Sequence, residues 1–337
     1  MKQLRIGFLS TAKIGKKNWN AIAASKNCIV SAVASRDLAR SRKFISECQR
    51  ETPFRKLPEA FGSYRELLES ENVDAVYIPL PTALRKDLVI RAAQNGKHVI
   101  CEKPCAASVA ELEEMIAACK KHRVQFMDGV MFMHNRRLEK IRAALDKNSI
   151  GQIKRINSHF SFCGSKDFHC SDIRVDSRLE PHGCLGDLGW YCIRFALWTM
   201  NWQIPRRIEG KIISSATNDA KVPTEFSGEL FFDGGVSMSF YCSFLTAYRN
   251  WADVSGTDGH LRVPDFVLPI ENNFELNNRV IESAKNWQPQ QINMFNNFAN
   301  QIFSGKSNND WPMWSLKTQQ IVDACFESAL KRRALTL

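Results

Sequence analysis

Up to about Asp128 the chain alternates short apolar runs with helix-like stretches, and this restricts it to a parallel sheet wound with helices on both faces. The apolar runs cover residues 4–9, 28–34, 75–79, 99–101 and 124–127. Between them the pattern predicts helices over 16–24, 38–49, 65–70, 84–95 and 109–122, the last capped by Ser108. Right-handed crossovers place the strand ends on one rim, where ligands of open parallel sheets collect.

The character changes after Asp128. A helix over 138–146 precedes an alternating strand over 153–162, a polar, loop-like segment over 163–181, and a helix carrying Asp187 and Tyr191. Strands are expected over 207–214, 225–232, 235–244, 250–256 and 260–263, joined by turn signals such as Asp233-Gly234-Gly235 and Thr257-Asp258-Gly259. Helices over 290–303 and 315–332 close the pattern. The expected fold class is α/β, a doubly wound parallel sheet followed by an α/β domain with a large, mostly antiparallel open sheet. With 337 residues, two domains are expected, 1–125 and 126–337.

Hydrophobic content of 44% and charged content of 24% fit a globular protein. No apolar run approaches a membrane span. Lys13 interrupts the only stretch resembling an export signal, so a cytoplasmic location is expected. The eleven cysteines show no zinc-type pairing, so no metal is expected and reduced, buried thiols are. The net charge of +11 is spread along the chain without a basic tail, which ranks small-molecule binding above nucleic acid.

Three groups of residues carry chemistry. The strand over 99–101 runs without a spacer into Glu102-Lys103-Pro104, and charges after a buried strand are costly unless they pair or meet a ligand. A solvated loop has the same composition, so the tripeptide alone leaves both readings open. The first strand-turn-helix, Ser10-Thr11-Ala12-Lys13-Ile14-Gly15, has Ser10, Ala12 and Gly15 at the three glycine places of the dinucleotide fingerprint; only Gly15 keeps it. A helix N-terminus there attracts a pyrophosphate, although a purely structural turn reads similarly. Ser35 and Arg36 end the second strand where an NAD site has an acid, and an arginine suits a 2′-phosphate, with Arg40 assisting. The competing reading is an ordinary basic surface helix. NADP(H) is therefore expected ahead of NAD.

The third group is Gly183-Cys184-Leu185-Gly186-Asp187-Leu188-Gly189-Trp190-Tyr191-Cys192. Asp187 and Tyr191, four apart, share a helix face. A phenol needs a nearby cation to work as an acid or base at neutral pH, and Lys103 would supply one if the two domains meet. Carbonyl reduction needs a hydride and a proton delivered to the oxygen, which a Lys–Tyr pair would serve. Trp190 and Tyr191 as plain core aromatics remain the alternative.

Together these residues resemble the glucose–fructose oxidoreductase / inositol dehydrogenase (Gfo/Idh/MocA) family. The matching stretches, 6–15, 33–37, 77–81, 96–104 and 186–191, run in family order. Residues 127–134 and 186–191 look most like a plant-type and bacterial subgroup. The branch of dimeric dihydrodiol dehydrogenase and NADP-dependent xylose dehydrogenase is similar but more distant. The resemblance implies a Rossmann domain and a C-terminal domain whose open sheet makes a homodimer or higher homo-oligomer. It implies that Lys103, Tyr191 and Asp187 are catalytic. Cofactor contacts would come from Ser10, Thr11, Ala12, Ile14, Gly15, Ser35, Arg36, Arg40, Pro79, Leu80, Pro81, Arg85, Glu102 and Lys103. Substrate contacts would come from His134, Arg174, Asp187 and Trp190. Arg85 stands where relatives commonly have histidine, and Pro181-His182 replaces glycines often found before the Asp–Tyr helix. The expected activity is NADP(H)-dependent hydride transfer on a small polyol, sugar or cyclic diol; the alternative is a non-catalytic dinucleotide sensor of the same fold.

Overall fold

A computed structural model describes residues 2–217, 219, 221–282 and 288–337. The chain forms two compact units. The first takes Met1–Ala106, Ala110–His134 and Gln288–Ser315; the second takes Ala107–Val109, Asn135–Trp287 and Leu316–Leu337.

In the first unit, strands β1 (Leu4–Leu9), β2 (Cys28–Ala34), β3 (Glu59–Phe61), β4 (Ala75–Ile78), β5 (His98–Cys101) and β6 (Phe126–Asp128) form one sheet in the order β3-β2-β1-β4-β5-β6. Every pairing is parallel, as the alternation of apolar runs and helices requires. The intervening helices are α1 (Lys13–Ala23), α2 (Leu38–Glu51), α3 (Tyr64–Glu69), α4 (Lys86–Gln94) and α5 (Val109–Lys121). Register puts Leu9 beside Ala34, Phe8 beside Tyr77 and Ile78 beside Cys101. The residues following β2, β1, β4 and β5 therefore emerge side by side on one rim.

The core of this unit is aromatic: Phe8 packs with Trp19, Phe44 and Tyr77, with centroids 5.2–6.5 Å apart. Helix α9 (Gln290–Phe303) joins it from the far end of the sequence. It buries Met294, Phe295, Phe298 and Ala299, with Phe295 6.3 Å from Tyr77. Asn27 fixes the helix from the sheet side, donating to the Asn296 carbonyl and to Asn300 Oδ1.

In the second unit, α6 (Arg137–Asp146), α7 (Lys166–Ser171) and α8 (Trp190–Thr199) accompany β7 (Ile153–Ser161), β8 (Arg207–Ser215), β9 (Pro223–Phe231), β10 (Ser237–Ser243), β11 (Arg249–Gly256), β12 (His260–Pro264), β13 (Asn273–Leu276), β14 (Arg279–Glu282) and β15 (Leu335–Thr336). The nine strands form one sheet, β14-β13-β12-β11-β7-β10-β9-β8-β15, antiparallel except where β7 lies along β10. The expected mostly antiparallel sheet is thus present. Helix α10 (Asp310–Lys331) starts five residues before its expected beginning. Asn308 Oδ1 accepts from the backbone of Asp310 and Trp311, and Pro312 sits in the first turn, where a missing N–H is harmless. Among the described residues no helix is long and apolar enough to cross a membrane, and all eleven cysteines are free thiols.

Phe298 is wholly buried between α9 and the first unit's sheet. Phe298→Ala should therefore lower stability by about 3–5 kcal/mol in urea denaturation, through lost apolar burial and the cavity left behind.

Candidate functional site

Candidate residues cluster separately within the two units. In the first, Ser10 follows β1 with a φ of 143°, a backbone conformation that favours glycine. Its hydroxyl accepts from the Ala12 amide at 3.1 Å, so serine serves at this glycine place by bracing the turn. No side chain caps α1, whose N-cap is Ala12. A Cβ on Gly15 would lie 3.1 Å from Phe44 Cζ, so the retained glycine lets α1 sit close on α2. Thr11 and Ala12 are half-buried and Ile14 is exposed at this turn.

Beyond β2, Ser35 is buried and Arg36 and Arg40 are exposed. Asp37 caps α2 through the Ala39 amide and lies 3.9 Å from Arg40. Burial raises the Tyr64 phenol's pKa, and the nearby charge of Arg36 partly offsets that. After β4, Pro79 and Leu80 are buried and Pro81 is half-buried.

The tip of β5 is built from both neighbours. The Tyr77 hydroxyl, wholly buried, donates to Glu102 Oε1 at 2.6 Å. Burial, and then the Glu102 charge, hold that phenol well above its ordinary pKa, so it stays a donor. From the β6 side, a Cβ on Gly129 would lie 3.0 Å from the Glu102 carboxylate, so any larger residue there would make that carboxylate shift. Arg85, 4% exposed, donates through Nε to the Leu80 carbonyl and through Nη1 to the Glu102 carbonyl, each at 2.6 Å, and also to the Pro104 carbonyl. Lys103 follows, half-buried, with a cis peptide to Pro104. Thus Glu102 faces inward to Tyr77, and Lys103 stands on the rim shared with Ser10, Arg36 and Pro79.

His134, expected to meet substrate, lies under α9 in the first unit. Its carbonyl accepts from Asn293 and its Nδ1 bonds to Asn297, both at 3.1 Å.

In the second unit a π-helical turn, Leu185–Gly189, leads into α8. Such turns recur at functional sites. It carries Asp187, whose Oδ2 lies 3.5 Å from Arg174 Nη1. Arg174 Nε donates to Asp172 at 2.9 Å, and its guanidinium lies 5.0 Å from the Phe168 ring and 5.9 Å from Phe162. Burial works against the Arg174 charge, but Asp187 and Asp172 outweigh it and leave its pKa above the ordinary value. The segment read as loop therefore holds α7 and a 3-10 turn, Ile173–Val175, that bring Arg174 to Asp187. Tyr191 is 5% exposed with its ring 5.7 Å from Phe160. Trp190 is wholly buried, with the Arg194 guanidinium 5.7 Å from its ring.

His182, just before this turn, is buried, and burial lowers its pKa to about 4. Its Nε2 lies 3.3 Å from Asp323 Oδ1, but that carboxylate already accepts from Gln319 and from the Val109 amide, each at 2.7 Å. Burial therefore prevails. Sequence reasoning noticed His182 only as a departure, and it missed Tyr77, Gly129 and Asp172 as supports.

A depressed histidine pKa means the unfolded chain binds more protons between pH 4 and 6.5, so stability falls as pH drops through that window. Chemical denaturation should show about 3 kcal/mol of such loss in the native chain. His182→Gln should remove most of it; an unchanged pH dependence would reject the assignment.

Comparison with known proteins places this arrangement. The sequence profile described as "Oxidoreductase family, NAD-binding Rossmann fold" (GFO_IDH_MocA) matches residues 4–130, and the profile of the GFO/IDH/MocA C-terminal domain matches 138–262. D-xylose 1-dehydrogenase (NADP(+)) 2 of Haloferax volcanii is 30% identical over 339 residues, 99% of this chain and all of that protein. Trans-1,2-dihydrobenzene-1,2-diol dehydrogenase of Mus musculus is 30% identical over 80% of this chain and 77% of its own length. Among solved structures, an aldose–aldose oxidoreductase from Caulobacter crescentus covers the whole of both chains with a TM-score of 0.86 at 20% identity. A 3-ketoreductase from Actinomadura kijaniata covers 96% of each chain with a TM-score of 0.81 at 24% identity. At those identities the two structures show the shared fold alone.

Proposed function

This chain belongs to the Gfo/Idh/MocA oxidoreductase family, and we propose that within it the protein transfers a hydride between NADP(H) and a hydroxyl-bearing carbon of a small neutral sugar, polyol or cyclic diol. The observation that carries this reading is the tip of β5. There a lysine stands on the rim that also carries the dinucleotide turn, and buried Tyr77 and Arg85 with half-buried Glu102 support it.

The residues present fit a dinucleotide. The turn has small residues at Ala12 and Gly15, and an uncapped helix N-terminus presents N–H groups to a pyrophosphate. Exposed Arg36 and Arg40 suit a 2′-phosphate. Pro79, Leu80 and Pro81 would line the nicotinamide end. When bound, the nicotinamide supplies or accepts the hydride. Lys103 and Tyr191 carry the proton to and from the substrate oxygen, with Asp187 orienting the substrate hydroxyl. The role is assigned to the two residues jointly.

Three features support a neutral hydroxylated substrate. The Arg174 charge is answered by two carboxylates, Asp172 and Asp187, which leaves little attraction for a substrate carboxylate. Phe162 and Phe168 flank the guanidinium with apolar faces. The relatives named above act on D-xylose and on a dihydrobenzene diol, both neutral.

The test is turnover of D-xylose and trans-1,2-dihydrobenzene-1,2-diol with NADP+, followed by nicotinamide absorbance. Lys103→Met should keep NADPH affinity within about threefold and lower kcat/KM by roughly 10²–10⁴-fold, the usual span for a lost acid–base group. NADPH binding with no turnover of any hydroxyl or carbonyl compound would point to a sensor. Arg36→Glu should raise KM for NADP+ by about 10–100-fold, as expected for a lost charge-assisted hydrogen bond, and leave KM for NAD+ nearly unchanged.

A further inference from the structure

Arg85, one of the expected cofactor set, commits its side chain to main-chain oxygens. A buried guanidinium is costly unless its donors are answered. Here Nε and Nη1 are answered by carbonyls from two loops: Leu80 after β4, and Glu102 and Pro104 after β5. The last two flank Lys103, and a single atom, Nη1, donates to both. Thr82, three residues before Arg85, adds a second bond to the Pro104 carbonyl at 3.2 Å. The backbone of Lys103 is therefore held on each side by the loop after β4.

Only a planar fork spans these three acceptors. An ammonium is a compact point charge that cannot keep the same geometry, and an imidazole has at most two ring donors. With 4% of its surface exposed, Arg85 has little left to offer a ligand.

We propose that Arg85 is a positioning residue: it acts on the reaction by fixing the main chain on both sides of Lys103, and it contacts neither cofactor nor substrate. This rests on the reading of Lys103 as an acid–base group. A displacement of about 1 Å at such a group is enough to slow turnover about 100-fold.

The test is a double-mutant cycle on the full chain, with NADP+ and whichever of D-xylose and the dihydrobenzene diol turns over. Arg85→Lys should lower kcat by about 10–100-fold while NADPH affinity, read by fluorescence, stays within about threefold. The Arg85→Lys/Lys103→Met double variant should be no slower than Lys103→Met alone, because a residue acting through Lys103 has nothing left to position. Multiplied losses in the double variant, or a tenfold weaker NADPH affinity with normal kcat, would overturn the proposal. So would normal turnover by Arg85→Lys where Lys103→Met is inactive. If Lys103→Met itself turns over normally, the acid–base reading fails first and the positioning role falls with it. Hydrogen–deuterium exchange gives a readout independent of substrate. Arg85→Lys should speed exchange at the amides of 102–106 while the β1 and β6 amides stay protected, and unchanged exchange at 102–106 would sink the idea. Should Arg85→Lys fail to fold, Thr82→Val serves in the same cycle and exchange measurement, with an expected kcat loss of a few-fold from one neutral hydrogen bond.

Discussion

Everything on the rim of the first unit depends on how one carboxylate is held. Glu102 follows a buried strand, and its half-buried carboxylate accepts from a buried phenol and from the Lys103 amide. Gly129 lies next to the same carboxylate on the β6 side, where an added Cβ would come within 3.0 Å of it. Arg85 ties the Glu102 carbonyl to the preceding loop. Three adjacent parallel strands thus converge on a single acidic side chain. The direction of Glu102 in turn sets the direction of the next side chain, Lys103. The rim is less a flexible loop end than a continuation of the core.

The second unit solves a related problem with opposite chemistry. Its charged residues are paired with one another more than with the backbone. Arg174 bridges Asp172 and Asp187 while lying over two phenylalanine rings, so a half-buried ion network replaces the carbonyl clamp. The Arg174 contact orients the Asp187 carboxylate at the π-helical turn ahead of Tyr191.

The alternation of apolar runs made the parallel sheet legible, because helix and strand periods differ and each crossover must be right-handed. Cys28–Ala34 and Gln290–Phe303 appear with the expected bounds. Weak or unusual patterns hid the rest. The β13–β14 hairpin has few apolar residues to alternate; its signal was Asn277-Asn278, both left-handed as a tight hairpin turn requires. Helix α10 begins at Asp310, ahead of the expected 315, with Pro312 in its first turn, where a missing N–H is tolerated. The Lys103 motif and the Asp187–Tyr191 spacing were visible as local strings. Their supports were not, because Tyr77 looks like one more apolar strand residue and its partner lies 25 positions away. The carbonyls around Arg85 were hidden for the same reason: a sequence shows the charge and conceals the main chain that meets it.

That concealment also explains why net charge says little here about partners. The formal +11 counts every arginine alike. Yet Arg85, Arg137 and Arg194 are 4%, 1% and 0% exposed. Arg137 donates to the carbonyls of Pro264, Asp265, Phe266 and Asn273, and burial lowers its pKa to about 10, which still leaves it charged at neutral pH. Arg194 bonds to Thr318 and lies over two indoles. These charges are shielded within the fold and add little to a surface field that a polyanion would feel at a distance. Arg85 and Arg137 thus fasten main-chain oxygens inside the fold, whereas Arg36 and Arg40 are exposed.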